Sequence, residues 1–167
     1  VVIYYSKPDL RKIDELAVNF GTESYFKDIT DCLWVPLKEV TSIIKVEGNY
    51  KLNKSSTNIK NTVNDPVYQS NLSNIKEINI DVPKGNYEVT LLFSELKKDN
   101  KLAYELDKEE TENKTSSFSK LYLNNHSITV DTLPPFNKKD ITVKTKATDV
   151  ITINNVNKQG FSLCGFK

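Results

Sequence analysis

Hydrophobic and polar residues alternate strictly along two neighbouring stretches in the middle of the chain. Isoleucine and valine take every second position of residues 77–82, and apolar residues again take every second position of residues 87–93. Successive side chains of a β-strand point to opposite faces, so a period of two predicts two half-buried strands. Pro83 and Gly85 between them favour a turn. The two strands are therefore predicted to form a β-hairpin.

The other apolar runs are short and are separated by turn residues. One pair of runs flanks Asn124-Asn125, which predicts a second hairpin because asparagine tolerates the left-handed backbone region. Short strands at roughly ten-residue spacing are typical of an all-β protein. We predict a two-sheet antiparallel β-sandwich. The side chains predicted to face its core are Ile78, Ile80, Val89, Leu91, Phe93, Leu121, Leu123 and Ile151.

Three segments depart from this pattern. Residues 36–66 show weak periodicity and are predicted to be long loops with at most short strands. Residues 96–117 are rich in charge and are predicted to be an exposed insertion, either mobile or held by a partner domain. Residues 1–15 are predicted to be a linker or the end of a preceding domain, and residues 16–167 one domain. The absence of methionine suggests a piece of a longer protein, and a mature secreted chain would have the same appearance.

Composition excludes some classes of partner. The 23 basic and 22 acidic residues give a net charge of +1, which predicts binding to neither nucleic acid nor an anionic membrane. No run of 18 apolar residues is present, so no membrane-spanning segment is predicted.

The sequence offers few candidates for catalysis. Its single histidine, His126, falls at the tip of a predicted hairpin, where a solvated turn residue is expected. Glu95 ends the central strand and is interpreted as a hydrogen-bonding residue in preference to a catalytic acid. No nucleophile and base can be paired, so no catalytic residue is predicted.

Metal binding and disulfide formation have equally little support. Cys32 and Cys164 lie 132 positions apart with no histidine cluster, and they are interpreted either as small buried side chains or as a disulfide. Asp28 and Asp31 could share a calcium loop, although no motif supports one. We therefore predict no metal site and no cofactor.

Aromatic side chains are frequent in or beside the predicted loops. An aromatic ring packs against the C–H face of a pyranose, while neighbouring amides and carboxylates bond its hydroxyl groups. The alternative is that most of these rings are core or loop anchors. The residues concerned are Tyr25, Phe26, Trp34, Tyr50, Tyr68, Tyr104 and Phe136.

Several short motifs occur in the order seen in malectin-like domains. They are L-A-V-N-F-G at residues 16–21, D-P-V-Y-Q-S at 65–70, V-P-K-G-N-Y at 82–87, L-F-S-E at 92–95 and L-Y-L-N-N at 121–125. Residues 16–167 thus resemble the carboxy-terminal malectin-like module of some bacterial family 2 glycoside hydrolases of the β-galactosidase type. The resemblance implies a jelly-roll sandwich of the carbohydrate-binding-module type.

The resemblance also implies a function. It indicates a non-catalytic module that binds a glucoside or galactoside beside the catalytic domain of a periplasmic or secreted enzyme. By position, Trp34 and Tyr50 match the loop aromatics that contact sugar in malectin, and the pair Tyr68-Gln69 belongs to a motif that either contacts sugar or anchors a loop. Asn157-Lys158-Gln159 lacks the acidic residue expected there. The alternative is a structural module for packing or dimerisation that binds no sugar.

Overall fold

The computed structural model describes residues 14–96, 119–155 and 160–167. Its elements are β1 (Ala17–Asn19), β2 (Phe26–Lys27), β3 (Leu33–Pro36), a 3-10 turn (Leu37–Glu39), β4 (Ile44–Glu47), β5 (Lys51–Lys54), α1 (Asp65–Tyr68), β6 (Ser70–Ile75), β7 (Glu77–Asp81), β8 (Gly85–Ser94), β9 (Ser119–Leu123), β10 (His126–Val130), β11 (Lys138–Ala147), β12 (Val150–Asn155), β13 (Phe161–Leu163) and β14 (Gly165–Phe166).

The strands form a sandwich, as predicted. One sheet has the order β11-β8-β14-β1-β3-β2, the facing sheet has the order β10-β9-β12-β7-β4, and a small sheet has the order β13-β6-β5. Pairing is antiparallel apart from β1 and β3, which are parallel. The predicted antiparallel two-sheet sandwich is therefore correct in class, with one parallel pair and a third small sheet added.

The core lies between the two larger sheets. All eight side chains predicted to face it are buried and belong to one apolar cluster. The predicted hairpin at Asn124-Asn125 is also confirmed, because His126 pairs with Leu123 and Asn124 takes a φ of 50°. Alternation of side chains along each strand was sufficient to identify these buried faces.

The predicted hairpin between β7 and β8 is wrong. β7 pairs with β12 and β4, whereas β8 pairs with β11 and β14, so the two strands belong to opposite sheets. The turn between them carries the chain across the core, and the hydroxyl of Tyr87 donates to the carbonyl of Pro83 at 2.6 Å. Alternation specifies which face of a strand is buried but not which strand lies alongside it.

Residues 36–66 contain the 3-10 turn and the short strands β4 and β5, which agrees with the prediction for this segment. α1 was not predicted. It is a single helical turn with Pro66 in its first turn, where proline is tolerated because its missing N–H needs no partner. Residues 97–117 of the predicted insertion lie outside the described residues. Residues 1–13 of the predicted linker also lie outside them. In the described ranges, every helix is too short or too polar to cross a bilayer.

Truncation of Leu91 tests the position of β8 in the core. Leu91 is fully buried, so Leu91→Ala should lower the free energy of unfolding by about 2–5 kcal/mol through lost burial and a residual cavity. Denaturant titration followed by tryptophan fluorescence measures the change. The control Lys45→Ala alters an exposed side chain of β4 and should change stability by less than about 0.5 kcal/mol. Equal effects of the two substitutions would contradict this position.

Candidate functional site

A second apolar cluster lies on the outer face of the six-stranded sheet. Leu92 on β8 and Trp34 on β3 contribute from the sheet, and Ile59, Val67 and Tyr68 of the loop at residues 59–68 pack against them. This arrangement explains why Leu92, on the side of β8 opposite to the main core, is nevertheless buried. The buried members of this outer cluster are Ala17, Trp34, Ile59, Val67, Tyr68, Leu92 and Cys164.

Two of the motif segments hold the covering loop in place. The side chain of Asn19 is buried, with 1% exposed, and its amide donates to the carbonyl of Pro66 at 3.2 Å while its oxygen accepts the backbone N–H of Gly21. A Cβ on Gly21 would lie 2.0 Å from the hydroxyl oxygen of Ser70. Glycine is required there because β6 begins against it.

Tyr68 and Gln69, both predicted to bind sugar, anchor the same loop. The Tyr68 side chain is 5% exposed, and its hydroxyl donates to Asp140 at 2.8 Å. Burial, together with the Asp140 carboxylate, raises the pKa of the Tyr68 hydroxyl. The hydroxyl of Ser94 donates to the carbonyl of Tyr68 at 2.7 Å, and the side-chain amide of Gln69 donates to the carbonyl of Thr57 at 3.2 Å. The contacts favour the loop-anchor interpretation of this pair.

Trp34, predicted to be the stacking ring, lies inside the outer cluster. It is 5% exposed, and its indole N–H donates to Asp28 Oδ2 at 3.0 Å. Asp28 Oδ1 accepts from Thr30 and from the backbone N–H of Cys32, so both carboxylate oxygens have protein donors. A ring stacked on a sugar needs an open face, which Trp34 does not have in this structure.

The two aspartates considered for calcium are part of this turn. Asp31 has a φ of 66° and forms an ion pair with Lys27 at 3.0 Å, while Asp28 caps the turn. Within the described ranges, no three histidine, cysteine or carboxylate side chains are grouped so as to hold a metal ion.

Tyr50 is placed differently from the other predicted site residues. Its side chain is 46% exposed and it immediately precedes β5. The backbone carbonyl of the preceding residue, Asn49, accepts a hydrogen bond from the side-chain amide of Asn74 at 3.0 Å. Asn74 also lies against Gly160, because a Cβ added to Gly160 would come within 2.2 Å of the Asn74 side-chain oxygen. Tyr50 is therefore an exposed ring next in the chain to Asn49, which Asn74 links to Gly160.

Gly160 is on the rim of a cleft at this end of the sandwich, which we call the acidic cleft. The cleft has a volume of about 290 Å³, and the buried rings of Phe93 and Phe161 contribute apolar surface to its lining. Polar groups come from Glu95, Asp131, Thr132 and Ser162. Glu95 is marked in the sequence by its position at a strand end, whereas no local pattern marks the other three as members of a shared site.

The remaining candidate residues have other surroundings. Tyr25, Phe26 and Phe136 are partly buried against the two apolar clusters, and Tyr104 lies outside the described residues. His126 is exposed at its hairpin tip, as predicted.

Both cysteines are free thiols in the outer cluster. Cys164 is buried, whereas Cys32 is partly buried and donates to Glu15 at 3.1 Å. The structure therefore agrees with the interpretation of the two cysteines as small buried side chains, and they do not form a disulfide. Burial raises the pKa of each thiol to about 12.

Solved structures with this arrangement of strands include bacterial and plant proteins. Bacteroides uniformis β-glucuronidase 2, covalently bound to cyclophellitol-6-carboxylate aziridine, matches 90% of this chain with a TM-score of 0.69 and 20% identity. The ANX1 ectodomain from Arabidopsis thaliana matches 90% with a TM-score of 0.61 and 14% identity. This chain has a malectin-like fold.

The malectin-like chain spans 17% of that β-glucuronidase chain and 40% of that ANX1 chain. Comparison with protein-family models and with curated proteins gave no match. At these sequence identities the similarity establishes the fold alone. As a statement about the fold, the resemblance seen in the motifs is therefore confirmed.

Substitution of Gly21 tests the close contact between β1 and β6. Gly21→Ala should lower the free energy of unfolding by about 1–3 kcal/mol because the new Cβ overlaps the Ser70 side chain. Adding Ser70→Gly should restore part of the loss by removing the overlapping atoms. Gly85→Ala is the matched control, since its Cβ would meet nothing closer than 3.6 Å. Calorimetry of the four chains measures the changes, and a loss for Gly85→Ala equal to that for Gly21→Ala would contradict the contact.

The raised pKa values of Cys32 and Cys164 predict a loss of stability in alkali. In the unfolded chain a thiol ionises near pH 9, whereas the folded pKa of each is about 12. Between these values the folded state holds more protons, so the free energy of unfolding should fall as pH rises above about 9. Denaturant midpoints from pH 8 to 10.5 measure the slope. Tyrosine and lysine side chains also titrate in this pH range, so the control is the double variant Cys32→Ala, Cys164→Ala. Its free energy of unfolding should fall less steeply with pH than that of the unaltered chain. Identical slopes for the two chains would refute the prediction.

Proposed function

We propose that this malectin-like domain is a non-catalytic carbohydrate-binding module of a larger glycoside hydrolase that is secreted or periplasmic. The length relation supports this proposal, because the chain corresponds to 17% of a β-glucuronidase chain of the same fold. The rest of such an enzyme is available for catalysis. Fold alone does not specify a ligand, so the proposal depends on a site.

The observation that carries the proposal is the acidic cleft. Its carboxylates come from Glu95 and Asp131, and Asp131 also accepts from Lys139 at 3.3 Å. Carboxylate oxygens accept more than one hydrogen bond, so both groups can accept from sugar hydroxyls, and the hydroxyls of Thr132 and Ser162 can donate or accept. The apolar surface of the cleft suits the C–H face of a pyranose. We propose that the exposed ring of Tyr50, next in the chain to Asn49, extends the site beyond the lining of the cleft.

The position of this cleft also agrees with the family resemblance. The loop that in malectin carries an acidic residue corresponds in sequence to residues 157–159, which lie outside the described residues and directly precede Gly160 on the rim of the cleft. Its sequence has no acidic residue. Glu95 and Asp131, which directly follow β8 and β10, offer carboxylates in this cleft.

A neutral glucoside or galactoside is the proposed ligand. An open cleft of about 290 Å³ holds little more than one sugar ring. Polar ligands lose bound water on entry, so we expect a dissociation constant of about 0.1–1 mM, which corresponds to about 4–5.5 kcal/mol. The resemblance named a parent enzyme of the β-galactosidase type, whereas the similar solved structure is a β-glucuronidase. A binding panel should therefore contain methyl galactosides, methyl glucosides and a methyl glucuronide.

Substitution of Tyr50 and Asp131 tests the acidic cleft. Tyr50→Ala and Asp131→Asn should each weaken binding about five- to tenfold, because each removes a ring contact or a hydrogen-bond acceptor. Both side chains are exposed, so the unfolding midpoint should stay unchanged. Isothermal titration calorimetry with the sugar panel measures binding. The control Glu47→Gln alters an exposed carboxylate on β4 and should bind as the unaltered chain does. Retention of full affinity by both test variants would exclude this cleft.

A second candidate function is packing against the catalytic domain or another subunit. β5 is an edge strand of the small sheet, and Tyr50 and Leu52, 46% and 49% exposed, lie two residues apart on one of its faces. Exposed apolar side chains on an edge strand are suited to a protein contact. Leu52→Ser separates the two functions, since it should disrupt packing and leave sugar affinity intact. If no sugar in the panel binds at 10 mM while Leu52→Ser abolishes self-association seen by light scattering, packing is the function.

A further inference from the structure

A second cleft lies at the end of the sandwich opposite to the acidic cleft. β8 runs ten residues from one end to the other, so at about 3.4 Å per residue the two clefts are about 30 Å apart. Two adjoining hollows share Asn86, Asn124, Asn125 and Lys146. We call them together the basic cleft; the hollow that includes Tyr87 has a volume of about 750 Å³.

Positive charge is in excess around this cleft. Lys84, Lys144 and Lys146 line it, with Glu88 as the acidic residue among the lining side chains. Glu88 lies 3.7 Å from Lys144, whereas Lys84 and Lys146 make no ion pair with other described residues. The nearby carboxylate of Asp149 accepts a hydrogen bond from its neighbouring threonine hydroxyl at 3.2 Å. Two ammonium groups are thus left to attract an anion.

The pairing of β8 with β11 fixes the lysines on one face. Lys144 lies opposite Glu88 and Lys146 lies opposite Asn86. Thr145, between the two lysines, is buried on the other face. Strand alternation therefore places both ammonium groups on the outer side of the sheet, next to an exposed amide.

The neutral groups of the basic cleft suit a sugar ring. Asn86, Asn125 and His126 are exposed, and their side chains make no hydrogen bond to other described residues. Tyr87 pairs with Thr145 and packs against the main core, so its ring borders the cleft from the face opposite to the lysines. Exposed amides beside ammonium groups are suited to the hydroxyls and the carboxylate of a charged pyranose.

We propose that the basic cleft binds an acidic saccharide through its uronate carboxylate. The ammonium groups of Lys84 and Lys146 pair with the carboxylate, and the amides of Asn86 and Asn125 bond the ring hydroxyls. Nucleic acid is disfavoured, because it requires a track of cations along many phosphates and this chain has a net charge of +1. The proposal concerns a site separate from the acidic cleft and does not depend on the function proposed for that cleft.

Titration of the chain with digalacturonate, and with digalactose as its neutral counterpart, tests the proposal. In ¹H–¹⁵N spectra, digalacturonate should shift the side-chain amide signals of Asn86 and Asn125, and raising the salt from 20 to 200 mM, about a tenfold range of ionic strength, should weaken binding. Digalactose should leave these signals unchanged at the same concentrations. Equal binding of the neutral sugar, or shifts confined to the residues of the acidic cleft, would overturn the proposal.

Charge-removing variants complete the test. Lys146→Gln and Lys84→Gln should each raise the dissociation constant for digalacturonate about five- to tenfold through loss of one charge-assisted contact. Lys45→Gln, on an exposed lysine of β4, is the matched control and should change it less than about twofold. If Lys45→Gln raised the dissociation constant as much as the test variants do, binding would depend only on the overall charge of the chain, and the proposed site would be refuted. A sulfated disaccharide or a short DNA oligonucleotide that binds more tightly than digalacturonate would refute the uronate assignment.

Discussion

Burial of the outer face of the six-stranded sheet is the constraint on which the arrangement of this domain depends. The inner face packs against the second sheet, as in any sandwich, but Trp34 and Leu92 also make the outer face apolar. Exposed together, they would form a large apolar surface in contact with water. The chain covers them with residues 59–68, and the buried amide of Asn19 ties that loop to the sheet through the carbonyl of Pro66.

This constraint gives a physical reason for the motifs that resemble malectin-like domains. L-A-V-N-F-G and D-P-V-Y-Q-S are about fifty residues apart in sequence, yet Gly21 lies against Ser70 and Asn19 bonds Pro66. Tyr68 extends the same attachment to β11 through Asp140, and Ser94 extends it to β8. In this chain the motifs therefore specify how one loop closes over one sheet, and these contacts involve no ligand.

The acidic cleft and the basic cleft lie at opposite ends of the sandwich, beyond the part of the outer face that the outer cluster covers. The two ends differ in charge, since Glu95 and Asp131 line one cleft while Lys84 and Lys146 line the other. The net charge of +1 hides this separation because the opposite charges cancel in the sum. A near-neutral chain can thus present two clefts of opposite electrostatic character about 30 Å apart.

The sequence by itself determined the all-β class, the buried face of each main strand and the hairpin at Asn124-Asn125, because these follow from local alternation and turn preference. Only the tertiary structure decided that β7 and β8 lie in opposite sheets, since strand pairing is a non-local choice that alternation leaves open. It also decided the environment of the aromatic rings. Trp34 and Tyr50 are both rings near loops in the sequence, but Trp34 has a covering loop and a carboxylate partner in Asp28, whereas Tyr50 remains exposed. Whether a ring is core or surface depends on what the rest of the chain places over it, and that information is not contained in its neighbours along the sequence.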